Sequence, residues 1–363
     1  MLVGYCKGWL LPVLLGVVFN SCSVRTADMS DLFRVSSGSD ETGNCDAYTD
    51  LLDLYLKESK VLSNVLMQAI ENYQTDTVVQ RLLTSYFGIE YDYKNGEIAK
   101  ESQESWMSFV TLRMEFHAFG PQGNGIELDG SDEEDPEAVY YPTITDVYAT
   151  GLDERSPSKT KPYWIQPLGG YVFLGSNVGD NLCDYVEEGR VVVAYTARGV
   201  EEITRIQGDD SVTIPAFPDG LLLCPRLMNK EVAPMHSLGD IPYIDIHDNV
   251  YLSDILPESS YLFHEVTHLV TTWRLYGGRE EKVTDFAYDV LECIQLAAGA
   301  REKVRRYYAT LNAQSFVYFA MSYWYYLQEW HGRDPITFYA GRAVSSDWMG
   351  DSVSDSGSGA KSE

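Results

Sequence analysis

The sequence predicts an α+β fold, mostly helical with a small mixed sheet, on three observations. Apolar residues recur at three- and four-residue steps through the opening and closing thirds, as they do on amphipathic helices. Between them lie short runs rich in β-branched and aromatic residues, which read as strands. The 363 residues are 45% hydrophobic and 13% aromatic, enough to bury a substantial core in one large domain or two small ones.

In chain order, the first stretch is MLVGYCKGWLLPVLLGVVFNSCS. Lys7 precedes an apolar run from Trp9 to Phe19, and Ser21 and Ser23 are spaced for cleavage after Ser23, so residues 1–23 read as a signal peptide of a secreted, extracellular protein. A membrane anchor would need about 20 apolar residues. A lipoprotein signal with Cys22 as the lipidated residue is the other reading of this segment. Residues 24–44 are polar and rich in Ser, Asp and Gly, as in a flexible leader. The folded domain is expected over residues 45–335.

Leu51, Tyr55, Leu62, Val65 and Ala69 mark a first amphipathic helix, with a gap at Glu58. A second, from Val78 to Phe87, is stopped by Gly88. An acidic insertion around residues 120–180 contains ELDGSDEEDPEA, Glu127 to Ala138, which lacks the spacing of a calcium-binding EF-hand loop and reads as a solvated surface loop. Four runs then predict strands: Gly170–Gly175, Arg190–Thr196, Gly220–Pro225 and Tyr243–Asp248. The last third predicts helices over Pro257–Leu275, Phe286–Ala298 and Asn312–Trp330. On the last of these, Phe316, Phe319, Tyr323, Leu327 and Trp330 share one face suited to core packing. Residues 336–363 read as a disordered tail.

A formal charge of −27 opposes nucleic acid and anionic membrane surfaces as partners. Six cysteines become four if residues 1–23 are removed: Cys45, Cys183, Cys224 and Cys293. An even number in an oxidising compartment suggests two disulfides, and spacing alone leaves three connectivities open. No Asn-x-Ser/Thr acceptor is present.

The chemistry concentrates in YLFHEVTHLV, Tyr261 to Val270. On a helix, positions i and i+4 project from one face, so His264 and His268 can turn their imidazoles toward one metal ion. Glu265 is rotated about 100° from His264. It is thus unsuited as a direct ligand but close enough to hydrogen-bond a water on that ion. Zinc with an adjacent glutamate base is the constellation that hydrolyses peptide bonds, and zinc requires a third protein ligand. Thr271 and Arg274 stand where a metzincin carries Gly and its third His. The downstream candidates are Glu280, Glu281, Asp285, Asp289, Glu292 and His331.

TDFAYD, Thr284 to Asp289, followed by NAQSFVYFA, Asn312 to Ala320, resembles the aspzincins, the deuterolysin family of secreted fungal zinc metalloendopeptidases that includes the lysine-specific metalloendopeptidases. The resemblance covers about Ser253 to Ala320 and implies a zincin-like metalloprotease fold binding Zn2+. In it His264, His268 and Asp285 are metal ligands, Glu265 is the general base, and Tyr288 is the phenol that stabilises the transition state. Asp285 and Tyr288, three apart, would then share one side of a helical turn. The same likeness pairs Cys183 with Cys224, leaving Cys45 with Cys293. It also implies protein or peptide substrates and a monomer. The chain departs from the family pattern at Lys282-Val283-Thr284, at Gln314, where the family has an acid, and at Val317, which points away from a lysine preference.

Two other readings stand beside it. A gluzincin-type peptidase would take Glu292 as third ligand. A catalytically idle secreted binding or effector-like protein would keep the scaffold without turnover, using the acidic insertion as an interaction surface.

Overall fold

The computed structural model describes residues 48–110, 160–165, 170–175, 186–187, 190–191, 193–197, 203–207, 210–214, 220–224, 227, 237–241, 246, 249–270, 274–276, 279–281, 283–299, 306–328 and 335–345. The expected signal peptide and leader, the acidic run, most of Tyr243–Asp248, Cys45, Cys183 and Trp330 lie outside them.

Helix α1 spans Thr49–Asn72 and buries Leu52, Tyr55, Leu56, Leu62, Val65, Leu66, Ala69 and Ile70 on the face its periodicity marks. Glu58, the gap in that pattern, is also buried, at 6% exposure. Its Oε1 accepts the Leu238 main-chain N–H at 2.8 Å. Burial pushes its carboxyl up from the usual range, against the bond from the Leu238 N–H. One turn earlier, the Tyr55 hydroxyl donates to the Glu258 carboxylate.

Helix α2, Thr77–Phe87, starts where Asp76 accepts the N–H groups of Val78 and Val79 at 2.8 and 3.3 Å. It ends at Gly88, whose φ of +64° favours glycine, and a Cβ there would run into the Ala297 carbonyl.

Helix α3, Ser259–Val270, packs against α1 and α5 (Ala313–Leu327). It is shorter than the expected Pro257–Leu275. By residue 274 the chain is in β11, Arg274–Tyr276, paired antiparallel with β12, Arg279–Glu281. Tyr276 pairs with Arg279, so the chain reverses direction where the helical reading had placed a helix end. Helix α4 covers Val290–Ala297 and not Phe286–Ala298. Asp289 accepts the Leu291 N–H at 2.8 Å and Glu292 reaches back in a capping box, so the helix begins four residues late.

Helix α5 departs from its one-sided expectation. Residues 315–325 are all buried, because α1, α2, α3, α4 and β13 (Ile336–Thr337) all pack on it. Phe316 and Phe319 join Phe87 and Phe109, with ring centroids 4.7–5.8 Å apart, in the centre of the core.

The expected mixed sheet is replaced, among the described residues, by two-stranded antiparallel pairs. Of the expected strands, Gly170–Gly175 (β4) and Gly220–Leu223 (β10) form, whereas Arg190–Thr196 divides into β6 (Arg190–Val191) and β7 (Ala194–Ala197). β7 pairs with β10, Ala194 opposite Leu223 and Ala197 opposite Gly220. Part of the expected tail is ordered: β13 pairs with β14, Val344–Ser345, and Phe338 and Ala343 are buried. Those apolar side chains hold residues 335–345 to the core. Among the described residues no helix is long and apolar enough to cross a membrane.

Candidate metal centre

His264 and His268 lie one turn apart on α3, at 7% and 8% exposure, with their Nε2 atoms 3.2 Å apart. Leu262, Phe263 and Val266 are fully buried, which fixes the rotation of the helix and hence the direction of both imidazoles. Each ring is also held from behind. His264 Nδ1 lies 2.8 Å from Gln314 Oε1, and His268 Nδ1 lies 3.3 Å from the Val283 carbonyl. An oxygen acceptor at each Nδ1 favours a proton there, which in the neutral ring would leave Nε2 as the donor to a metal.

Asp285 arrives from an irregular segment, not from a helical turn. Asn312, wholly buried at the start of α5, accepts the N–H groups of Phe286 and Ala287 through Oδ1 at 2.8 and 3.0 Å. A parallel bridge joins Thr284 to Asn312: Thr284 donates to the Leu311 carbonyl at 2.8 Å and accepts from the Ala313 N–H at 3.2 Å. This clasp delivers the Asp285 carboxylate to the imidazoles, Oδ1 at 3.1 Å from His264 Nε2 and Oδ2 at 3.2 Å from His268 Nε2. Its side chain is 26% exposed, so the acid closes the cluster from the solvent side.

The three side chains fit a zinc ion. Ligand atoms of a tetrahedral zinc, each roughly 2.0–2.1 Å from the metal, stand about 3.3 Å from one another. Here the two Nε2 atoms are 3.2 Å apart, Asp285 sets one oxygen 3.1 Å from the first and the other 3.2 Å from the second, and one ligand atom from each residue lies within 4.8 Å of the others. Among the described residues, His264, His268 and Asp285 are the one group of three or more metal-binding side chains able to meet at a point. The electrostatics have the same sense. Burial would lower the His264 pKa, but the Asp285 charge and hydrogen bond outweigh it and lift it to about 9. Burial would raise the Asp285 carboxyl, and the imidazoles hold it well below the usual range.

Glu265 is 7% exposed, and its charge is felt at His264. The Thr196 hydroxyl on β7 stands 2.5 Å from Glu265 Oε2 and 3.1 Å from the Glu265 main-chain oxygen. The Tyr288 ring lies beside the cluster, its centroid 6.1 Å from that of His264, nearly parallel and 42% exposed. Asp285 and Tyr288 both lie beside His264, but an irregular segment ahead of α4, not helical i, i+3 geometry, places them there.

Glu292 does not reach this cluster. Its carboxylate accepts the main-chain N–H groups of Tyr288 and Asp289 at 3.3 and 3.4 Å, as part of the α4 cap. Asp289 is committed to the same cap, and His331 lies outside the described residues.

The expected Cys45–Cys293 disulfide is overturned. Cys293 is a free thiol at 0% exposure, its Sγ 3.6 Å from the Ala287 carbonyl and 3.4 Å from Asn312 Nδ2. It faces the core as packing, and burial pushes its pKa up. Cys224 is disulfide-bonded, to a partner outside the described residues.

Sequence reasoning missed Thr196, 69 residues from Glu265, for which no local pattern exists. It also noted Asn312 and Gln314 only as parts of a motif and gave no role to Tyr318, whose hydroxyl donates to the Tyr288 carbonyl at 2.9 Å. A scan against protein-family models finds no match, and searches of curated proteins and of solved structures find none either.

Proposed function

We propose that this chain is a secreted zinc-dependent metalloendopeptidase that hydrolyses peptide bonds of protein or peptide substrates. One observation carries the reading: His264, His268 and Asp285 bring one ligand atom each within 4.8 Å of the others, while Glu265, next to His264 on the same helix, borders them. A zinc ion held there would supply Lewis-acid polarisation of a water and of the scissile carbonyl.

The chain's own groups supply the rest. Thr196 fixes Oε2 of Glu265, which leaves Oε1 to accept the proton of the attacking water and to pass it on to the departing amine. Tyr288 stands beside the cluster, its ring stacked on that of His264 and partly exposed, where its phenol can donate a hydrogen bond to the oxyanion as it forms. The two roles need opposite chemistry, one side chain that takes a proton and one that donates a hydrogen bond.

Replacing Glu265 with Gln keeps shape and hydrogen bonding but removes the base. Zinc content should stay at the wild-type level while chelator-sensitive cleavage of casein falls by about 10²–10⁴-fold. Wild-type cleavage by that variant would refute the role of Glu265. Zinc-loaded wild-type protein with no turnover on a diverse peptide library would favour the idle-scaffold reading.

A further inference from the structure

Helix α5 touches the centre at two positions one turn apart, and each grips a different part of it. Gln314 Oε1 is 2.8 Å from His264 Nδ1, and the Tyr318 hydroxyl donates to the Tyr288 main-chain carbonyl at 2.9 Å. Positions i and i+4 share a helix face, so both contacts arise from a single rigid surface. Residues 315–325 of that helix are buried on every side, which leaves it little freedom to rotate or slide.

We propose that Gln314 and Tyr318 are a pair of positioning residues: Gln314 fixes the His264 tautomer that presents Nε2 to the metal, and Tyr318 fixes the main chain that carries the Tyr288 phenol. This rests on the peptidase reading for the Tyr288 half only. The His264 half concerns metal binding whatever reaction follows.

The orientation of the Gln314 amide decides whether the first role is possible. A carboxamide offers an acceptor at one end and a donor at the other, and only the acceptor end permits N–H at Nδ1 and a lone pair at Nε2. The Gln314 oxygen is the end that faces the ring, Oε1 being the atom 2.8 Å from His264 Nδ1. Tyr318 uses its own proton on the Tyr288 carbonyl. Two hydrogen bonds from one helix face thus hold His264 and the segment bearing Tyr288.

The neutral amide also sets the strength of the ligand. A carboxylate at position 314 would draw the Nδ1 proton more strongly and make Nε2 a better donor to the metal. Gln314 leaves His264 oriented but less basic, so the site should hold zinc less tightly than the geometry allows.

The test uses the full chain and zinc alone as probe. Competitive chelator titration of Gln314→Ala should give zinc affinity lower by about 10–100-fold, and Gln314→Glu should restore or exceed the wild-type value. Tyr318→Phe should leave zinc affinity within about twofold, speed amide hydrogen exchange across residues 284–289, and lower kcat with KM unchanged. Nitrogen-15 NMR of the zinc-loaded protein should show the His264 proton on Nδ1. Wild-type zinc affinity in Gln314→Ala, or a Nε2-protonated His264, overturns the first role. Unchanged exchange over 284–289 in Tyr318→Phe overturns the second. If wild type shows no hydrolysis, the peptidase reading fails by itself, and the affinity and exchange results still decide this one.

Discussion

His264 and Asp285 set the pH behaviour of the protein when stripped of metal. The imidazole is held at about 9 by the carboxylate despite its burial, and the carboxyl is held low by the imidazoles. A histidine raised above its unfolded value of about 6.5 contributes stability fully below that pH and loses it as pH climbs through about 9. An aspartate lowered from about 3.9 contributes above that pH and loses it on acidification. Chelator-treated protein should thus be most stable between roughly pH 4 and 6.5 and lose melting temperature steadily toward pH 9. Asp285→Asn should flatten that slope, since it removes the charge that lifts the imidazole. Thermal melts at half-unit pH steps check both, and an equal slope in the variant would contradict the ion pair. Zinc binding should strengthen over the same rise in pH, because the ligands must shed their protons.

At the scale of elements, α2 was legible in the sequence because its signals are local: Asp76 caps one end and Gly88 closes the other. The segment 284–288 was not, because no property of those five residues fixes its path. Asn312, more than twenty residues on, does so by taking two of its main-chain N–H groups. Asp285 and Tyr288 hence both reach His264, but not by the helical i, i+3 geometry expected of them. Asn312→Ala should expose the importance of this clasp. Leaving two N–H groups without their acceptor should cost about 1–3 kcal/mol in chemical denaturation. Zinc affinity should fall as well, because Asp285 loses its support. A variant that is destabilised yet binds zinc as wild type would show that the carboxylate finds its place without the clasp.

Across the molecule, α5 is the common wall: its Phe316 and Phe319 join Phe87 and Phe109 in the aromatic cluster, and its Gln314 meets the His264 imidazole. The sequence marked its apolar face but could not reveal burial on all sides, which depends on how many other helices close around it. Similarly, the i, i+4 spacing made His264 and His268 readable, whereas Thr196 on β7 is joined to Glu265 only by the fold. Asp285 was reached through a motif resemblance, and no spacing rule separated it from Glu292; the capping box that absorbs Glu292 does. The most direct measurement is zinc per chain, by mass spectrometry after dialysis, in wild type, Asp285→Ala and Glu292→Ala. One zinc in the wild type and in Glu292→Ala, with none in Asp285→Ala, is the predicted result; full zinc in Asp285→Ala, or its loss in Glu292→Ala alone, would contradict the three-ligand centre.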